Sequence, residues 1–102
     1  MGSGNCRITF DLYCEYVGVP PAYRVYIDTM LMTERHYICK NPQYFIRETV
    51  PVSIETGLHY LRVENLNPEL AIFEVRNFQV NGEPVELRSE TGKFYIDTKD
   101  FR

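Results

Sequence analysis

Ile8-Thr9-Phe10-Asp11-Leu12-Tyr13-Cys14-Glu15-Tyr16 is the stretch that decides the fold. Ile8, Phe10, Leu12, Cys14 and Tyr16 leave one side of an extended chain, and Thr9, Asp11, Tyr13 and Glu15 leave the other. A period of two is the demand of a half-buried β-strand, because successive side chains exit opposite faces of a pleated sheet. The pattern returns at Tyr23/Val25/Ile27, at Tyr44/Ile46 with Val50/Val52/Ile54, and at Leu61/Val63. It continues at Phe78/Val80, Val85/Leu87 and Phe94/Ile96. Such alternation specifies antiparallel sheets with one apolar face each, stacked in two layers.

The punctuation between these runs is regular. Gly18-Val19-Pro20-Pro21 ends the first strand, since consecutive prolines cannot continue a ladder. Asp28-Thr29-Met30 leads into a strand from about Leu31 to Ile38, and Lys40-Asn41-Pro42-Gln43 is the next turn. Glu55-Thr56-Gly57, Asn65–Glu69 and Ser89–Gly92 mark further turns, and Asn81-Gly82 is the strongest hairpin signal. The reading is one all-β domain over residues 5–102, a single antiparallel β-sandwich, jelly-roll-like, of about eight strands. Pro51 and Pro84 fall inside strand patterns and so mark edges, which favours a sandwich over a closed barrel. Residues 1–4 lie outside the pattern and are expected to be extraneous to the native sequence or disordered.

The 102 residues suffice for one core and no more. A net charge of −3, with no two Lys or Arg adjacent, gives no concentrated positive surface for phosphates, so neither nucleic acid nor an anionic membrane is an expected partner. No apolar run approaches the ~20 residues of a spanning helix. The N-terminus has no signal-peptide pattern, which implies a protein made in the cytoplasm. Of the three cysteines, Cys6 and Cys14 stand on one strand, about 26 Å apart at ~3.3 Å per residue. That spacing is out of disulfide range, and Cys6, Cys14 and Cys39 are expected to be reduced.

No residue constellation points to catalysis. None of Ser3, Ser53 and Ser89 sits in a nucleophile elbow, and Ser53 and His59 read as flanking positions of a hairpin. His36 and Cys39 have finger-like spacing, but residues three apart on a strand face opposite sides, so no metal site is expected. Asn65, Asn67, Asp97 and Asp100 supply oxygens suited to calcium, although turn chemistry alone explains them. Asp11 and Glu15 share the polar face of a strand about 13 Å apart at ~3.3 Å per residue, too far for a carboxylate pair, and read as solvated. The chain is therefore expected not to be an enzyme and to use no cofactor. What remains are Tyr13, Tyr26, Phe45 and Tyr95, large aromatics opposite to the inward set of their own strands. These four are the candidate binding residues, for a protein partner, for self-association or for a glycan.

Two stretches carry resemblances. Tyr23-Arg24-Val25-Tyr26-Ile27-Asp28, followed by Leu31 and Thr33-Glu34-Arg35, is similar to a strand pair of small β-sandwich proteins encoded by tailed phages. That resemblance implies a virion accessory: capsid decoration, cement or a tail component, docked on a capsid or tail protein. The run from Val52 to Asn65, with Phe78-Gln79-Val80-Asn81-Gly82, resembles jelly-roll carbohydrate-binding modules of the xylan-binding kind, which implies a glycan ligand as the alternative. The chain departs from those modules in having no Trp and no recognisable Asp-rich calcium loop.

Overall fold

The computed structural model describes residues 3–39, 41, 43–88 and 90–97. Lys40, Pro42, Ser89 and Asp100, named above in turns and as candidate ligands, lie outside the described residues. The strands are β1 (Ser3–Tyr16), β2 (Ala22–Ile27), β3 (Met30–His36), β4 (Ile46–Glu55), β5 (Gly57–Asn65), β6 (Ala71–Val80), β7 (Glu83–Pro84) and β8 (Lys93–Ile96). They form two four-stranded antiparallel sheets, β4-β1-β6-β7 and β3-β2-β5-β8, packed face to face. The sandwich of eight strands is the architecture that the alternation specifies. Its winding is particular: β1 and β8 lie in different sheets, whereas a jelly roll places the first and last strands side by side. β1 begins at Ser3 and pairs there with Glu55, so Ser3 and Gly4 belong to the ladder.

β1 is the axis of the molecule. Its 14 residues extend about 46 Å at ~3.3 Å each, close to the 48 Å long dimension of the fold. It pairs with β4 on one side and β6 on the other. The hairpin signal at Asn81-Gly82 is realised as expected, with both residues at positive φ, 53° and 85°, the conformation of a two-residue type I′ turn. Asn81 is also tied across the sheet, its N–H donating to Arg7 O at 2.7 Å and its Oδ1 accepting from Arg7 N–H at 2.8 Å. Because Arg7 spends its backbone groups on Asn81, its opposite neighbour Pro51 on β4 turns its missing donor to the outside, where nothing is lost. Pro84 sits likewise on the edge strand β7.

The expected core is largely the observed one. Ile8, Phe10, Leu12, Val25, Ile27, Val52, Ile54, Leu61, Phe78 and Ile96 are buried in one cluster, while Ile46 and Val63 are half-buried against it. Val63 is uncovered because β8 pairs with β5 only as far as Tyr60. Tyr37 is an unexpected member. β3 ends at His36, the Tyr37 N–H donates to Pro21 O, and its ring turns into the core, where its hydroxyl reaches Leu12 O at 3.1 Å. Burial pushes that phenol up to about 12.

A carboxylate crosses this core. Glu48 stands on the inward side of β4, between Ile46 and Val50, and is 1% exposed. It accepts a hydrogen bond from the Tyr23 hydroxyl on β2 and lies 3.2 Å from Arg35 Nε on β3. The two sheets are thus pinned by a buried acid of one and two donors of the other. Burial, and then the hydrogen bond and charge of Glu48, push the Tyr23 phenol well above its ordinary value, so it remains a donor.

Truncating Phe10 to Ala should cost about 3–5 kcal/mol in denaturant melts, as a buried ring leaves a cavity. Tyr23→Phe alone should cost about 1–3 kcal/mol, because it leaves the buried Glu48 short of a donor. A Tyr23→Phe/Glu48→Leu double variant should lose less than the two single losses together, since it removes the polar pair as a unit. Additivity in that cycle would show that the two groups do not interact.

Candidate functional site

The structure places the four outer aromatics on two opposite faces. Tyr13 and Phe45 lie on the outside of the β4-β1-β6-β7 sheet, with ring centroids 5.1 Å apart. Tyr26 and Tyr95 lie on the outside of the other sheet, with β5 between their strands. They are therefore two sites, not one. On each face an arginine stacks on the central tyrosine: Arg76 over Tyr13 at 4.3 Å and Arg62 over Tyr26 at 4.1 Å. Each Tyr is half-buried by this cover, and Tyr26 further donates its hydroxyl to Glu64 at 3.1 Å.

Beneath the Tyr13 face lies Asp11, which the alternation assigned to solvent. It is instead 1% exposed. Two neighbours close over it: Arg47 Nε donates to Oδ1 at 2.8 Å and Asn77 Nδ2 to Oδ2 at 2.7 Å. Asn77 reaches it because β6 bulges there, its register with β1 shifting between Thr9 and Asp11, and Asn77 takes a φ of 55°. Burial acts to raise the Asp11 carboxyl, but the hydrogen bonds from Arg47 and Asn77, with the charge of Arg47, outweigh it and hold the pKa below its ordinary value. Such a carboxylate is fully engaged in structure. It stays ionised and holds no proton to give.

On the opposite face the exposed group is larger than the sequence reading allowed. Leu58 faces Tyr95 across the β5–β8 ladder, and the two are 58% and 57% exposed. Tyr60, two residues along β5 on the same side, is 44% exposed, and Leu31 stands opposite Tyr26 on β3. The sequence does carry this signal, since Leu58 and Tyr60 stand on the parity opposite to Leu61 and Val63. Among the described residues no arginine stacks on Tyr95, which with Leu58 forms an exposed apolar pair.

The remaining candidates do not converge. Ser53 is exposed on β4, whereas His59 points inward. The His59 Nδ1 lies 2.7 Å from Asp28 Oδ2 and its Nε2 2.6 Å from Glu55 O, so both ring nitrogens are engaged by acceptors. Asn65 and Asn67 shape their own turn: Asn65 Nδ2 donates to Ala71 O, and Asn67 Oδ1 accepts from Ala22 N–H. His36 is exposed at the end of β3, while Cys6 and Cys14 are buried on β1. No three His, Cys, Asp or Glu gather as a metal site among the described residues. Searches of protein-family models, of curated proteins and of solved structures find no match to this chain.

The Asp11 network has a pH signature. With its folded pKa below the unfolded value of about 3.9, Asp11 contributes stability in full above that value and loses it as pH falls through the folded one. The stability gap between the wild type and Asp11→Asn should therefore be widest near neutral pH and narrow steadily below pH ~4. Urea melts across that range check it, and a gap independent of pH would assign Asp11 no electrostatic role.

Proposed function

We propose that this chain is a non-enzymatic docking protein that works through protein–protein contacts on the outer face of the β3-β2-β5-β8 sheet. The observation that carries the reading is the exposed apolar group Leu58, Tyr60 and Tyr95 on a regular, rigid sheet. Hot spots are enriched in tyrosine, and an aromatic on a strand loses little conformational freedom when it is covered. Joined to the resemblance of residues 23–35 to phage β-sandwich proteins, the reading becomes a virion accessory seated on a capsid or tail protein. A chain with no charged concentration, and with Asp11 and Glu48 engaged in structure, suits that role.

Glycan binding on a platform of Tyr13, Tyr26, Phe45 and Tyr95, which the fold divides between two faces, is the weaker reading. A sugar needs a free ring face to stack on, and the rings of Tyr13 and Tyr26 already carry guanidinium groups.

Replacing Leu58 and Tyr95 together by Ser should weaken incorporation into purified virions by roughly 30-fold or more, the equivalent of ~2 kcal/mol, while the melting temperature stays that of the wild type. Absence of the wild-type protein from particles, or saturable binding on a glycan array that Tyr26→Ala abolishes, would overturn the docking reading.

A further inference from the structure

One side of the sandwich is short of a strand in each sheet. β7 and Val85 after it cover β6 only from Phe78 to Val80, and β8 covers β5 only from Gly57 to Tyr60. Beyond those points both sheets end in bare edges on the same side. Between the edges lies a cleft of about 1030 Å³, lined by Val63 of β5, Phe73 and Val75 of β6, and Val85 and Leu87 of the β7–β8 connection.

The backbone at this cleft can be read from the ladder. In an antiparallel pair, alternate residues turn their N–H and C=O to the neighbouring strand and away from it. Val17 donates to Leu70 O across the β1–β6 pair, so Ile72, Glu74 and Arg76 also face β1, and Phe73 and Val75 turn their backbone groups outward. On β5, Asp28 N–H donates to Tyr60 O and Leu66 N–H to Ala22 O, which turns Val63 away from β2 in the same way. Leu61, on that same outward side, already gives its N–H to Gly92 O. Among the described residues, no strand pairs with Phe73, Val75 or Val63 on the cleft side. The side chains of these three residues line an apolar cleft while their backbones offer hydrogen bonds along its rim. Only an extended polypeptide supplies both kinds of group at strand spacing.

We infer that the cleft accepts an extended segment of a partner protein, which adds to β6 over residues 72–76 as the missing strand of its sheet. The segment would carry apolar residues at every second position, to lie on Val63, Phe73 and Val75, and polar residues between them. The rim selects for no net charge: Glu74 is paired with Arg76 and Asp28 with His59, Arg62 lies on the outer-face ring of Tyr26, and Arg88 and Glu90 are of opposite sign. This inference rests on the docking reading but uses a different surface from Leu58 and Tyr95.

The probe is a fluorescein-labelled, end-capped heptapeptide alternating Val with Glu and Thr, titrated into the full chain and followed by anisotropy and amide hydrogen exchange. Without peptide, the Phe73 and Val75 amides should exchange faster than those of Ile72, Glu74 and Arg76. Saturating peptide should slow Phe73 and Val75 by at least about tenfold. Val75→Pro removes one cleft-facing donor at an edge position, and Val63→Glu leaves the β6 edge intact but places a carboxylate on the apolar wall; both should abolish binding. Leu58→Ser/Tyr95→Ser should bind the peptide as the wild type does, so loss of the face and loss of the cleft are read separately. The inference is overturned by no saturation at ~1 mM peptide, a Kd weaker than about −4 kcal/mol. It is equally overturned by binding that leaves both amides unprotected, or by a dimer of the chain itself that occupies the edge and excludes the peptide.

Discussion

Glu48 sets the terms for the rest of the fold. A carboxylate in an apolar core is tolerated only when its oxygens are claimed, and the claimants here come from the opposite sheet: the Tyr23 hydroxyl of β2 and the Arg35 guanidinium of β3. Apolar side chains pack in many relative positions of two sheets at similar energy. A buried acid with a fixed donor does not, because sliding the sheets past one another strands a charge. The position of Tyr23 then seats its neighbours, with the rings of Phe73 and Tyr37 at 5.3 and 6.4 Å from it. The aromatic end of the core is built outward from that one polar contact.

Strand positions and the burial of β1, β2 and β4 were legible in the sequence because one face of each is dry and the other wet. Glu48 was legible too, in principle. It occupies the inward parity of β4, and a charged residue at such a place announces a partner across the core. Asp11 was not legible, because its burial comes from Arg47 and Asn77 on neighbouring strands, and the bulge that delivers Asn77 shows in the pattern only as a change of parity, from Phe73 and Val75 to Phe78 and Val80. Tyr37 escaped for a related reason, since it lies just past the end of a strand and its burial depends on where Pro21 passes. Strand order is a matter of which edges meet. Alternation says which side of a strand is apolar and nothing about its neighbour, so the division of Tyr13 and Phe45 from Tyr26 and Tyr95 could not be read beforehand.

The two outer faces share one device, an arginine laid on a tyrosine, yet leave different surfaces. On the β1 face, Arg76 is also held by Glu74 at 2.9 Å, and the cluster of Tyr13, Phe45 and Arg47 covers a buried carboxylate. That face engages Tyr13 in structure and leaves Phe45 partly open. On the β5 face the stack at Tyr26 is internal, and Leu58, Tyr60 and Tyr95 stand clear of it. Parity alone identifies residues that point outward; whether they are available depends on the long side chains that fold back over them.

Pro51 and Pro84 have a consequence for how far such a sheet can grow. Both stand on outer edges, β4 and β7, with no N–H to offer a further strand, and the β3 edge carries Glu34 and Arg35 together with a bulge opposite Val25 and Tyr26. Growth by strand stacking requires two competent edges on every unit, one to receive and one to be received. This chain has proline or charge at the borders β4, β7 and β3, and among the described residues its unguarded stretches are the parts of β6 and β5 that β7 and β8 leave uncovered, facing one cleft. It is therefore a terminus for sheet extension and not a link, which keeps a domain rich in exposed tyrosine from propagating into fibres.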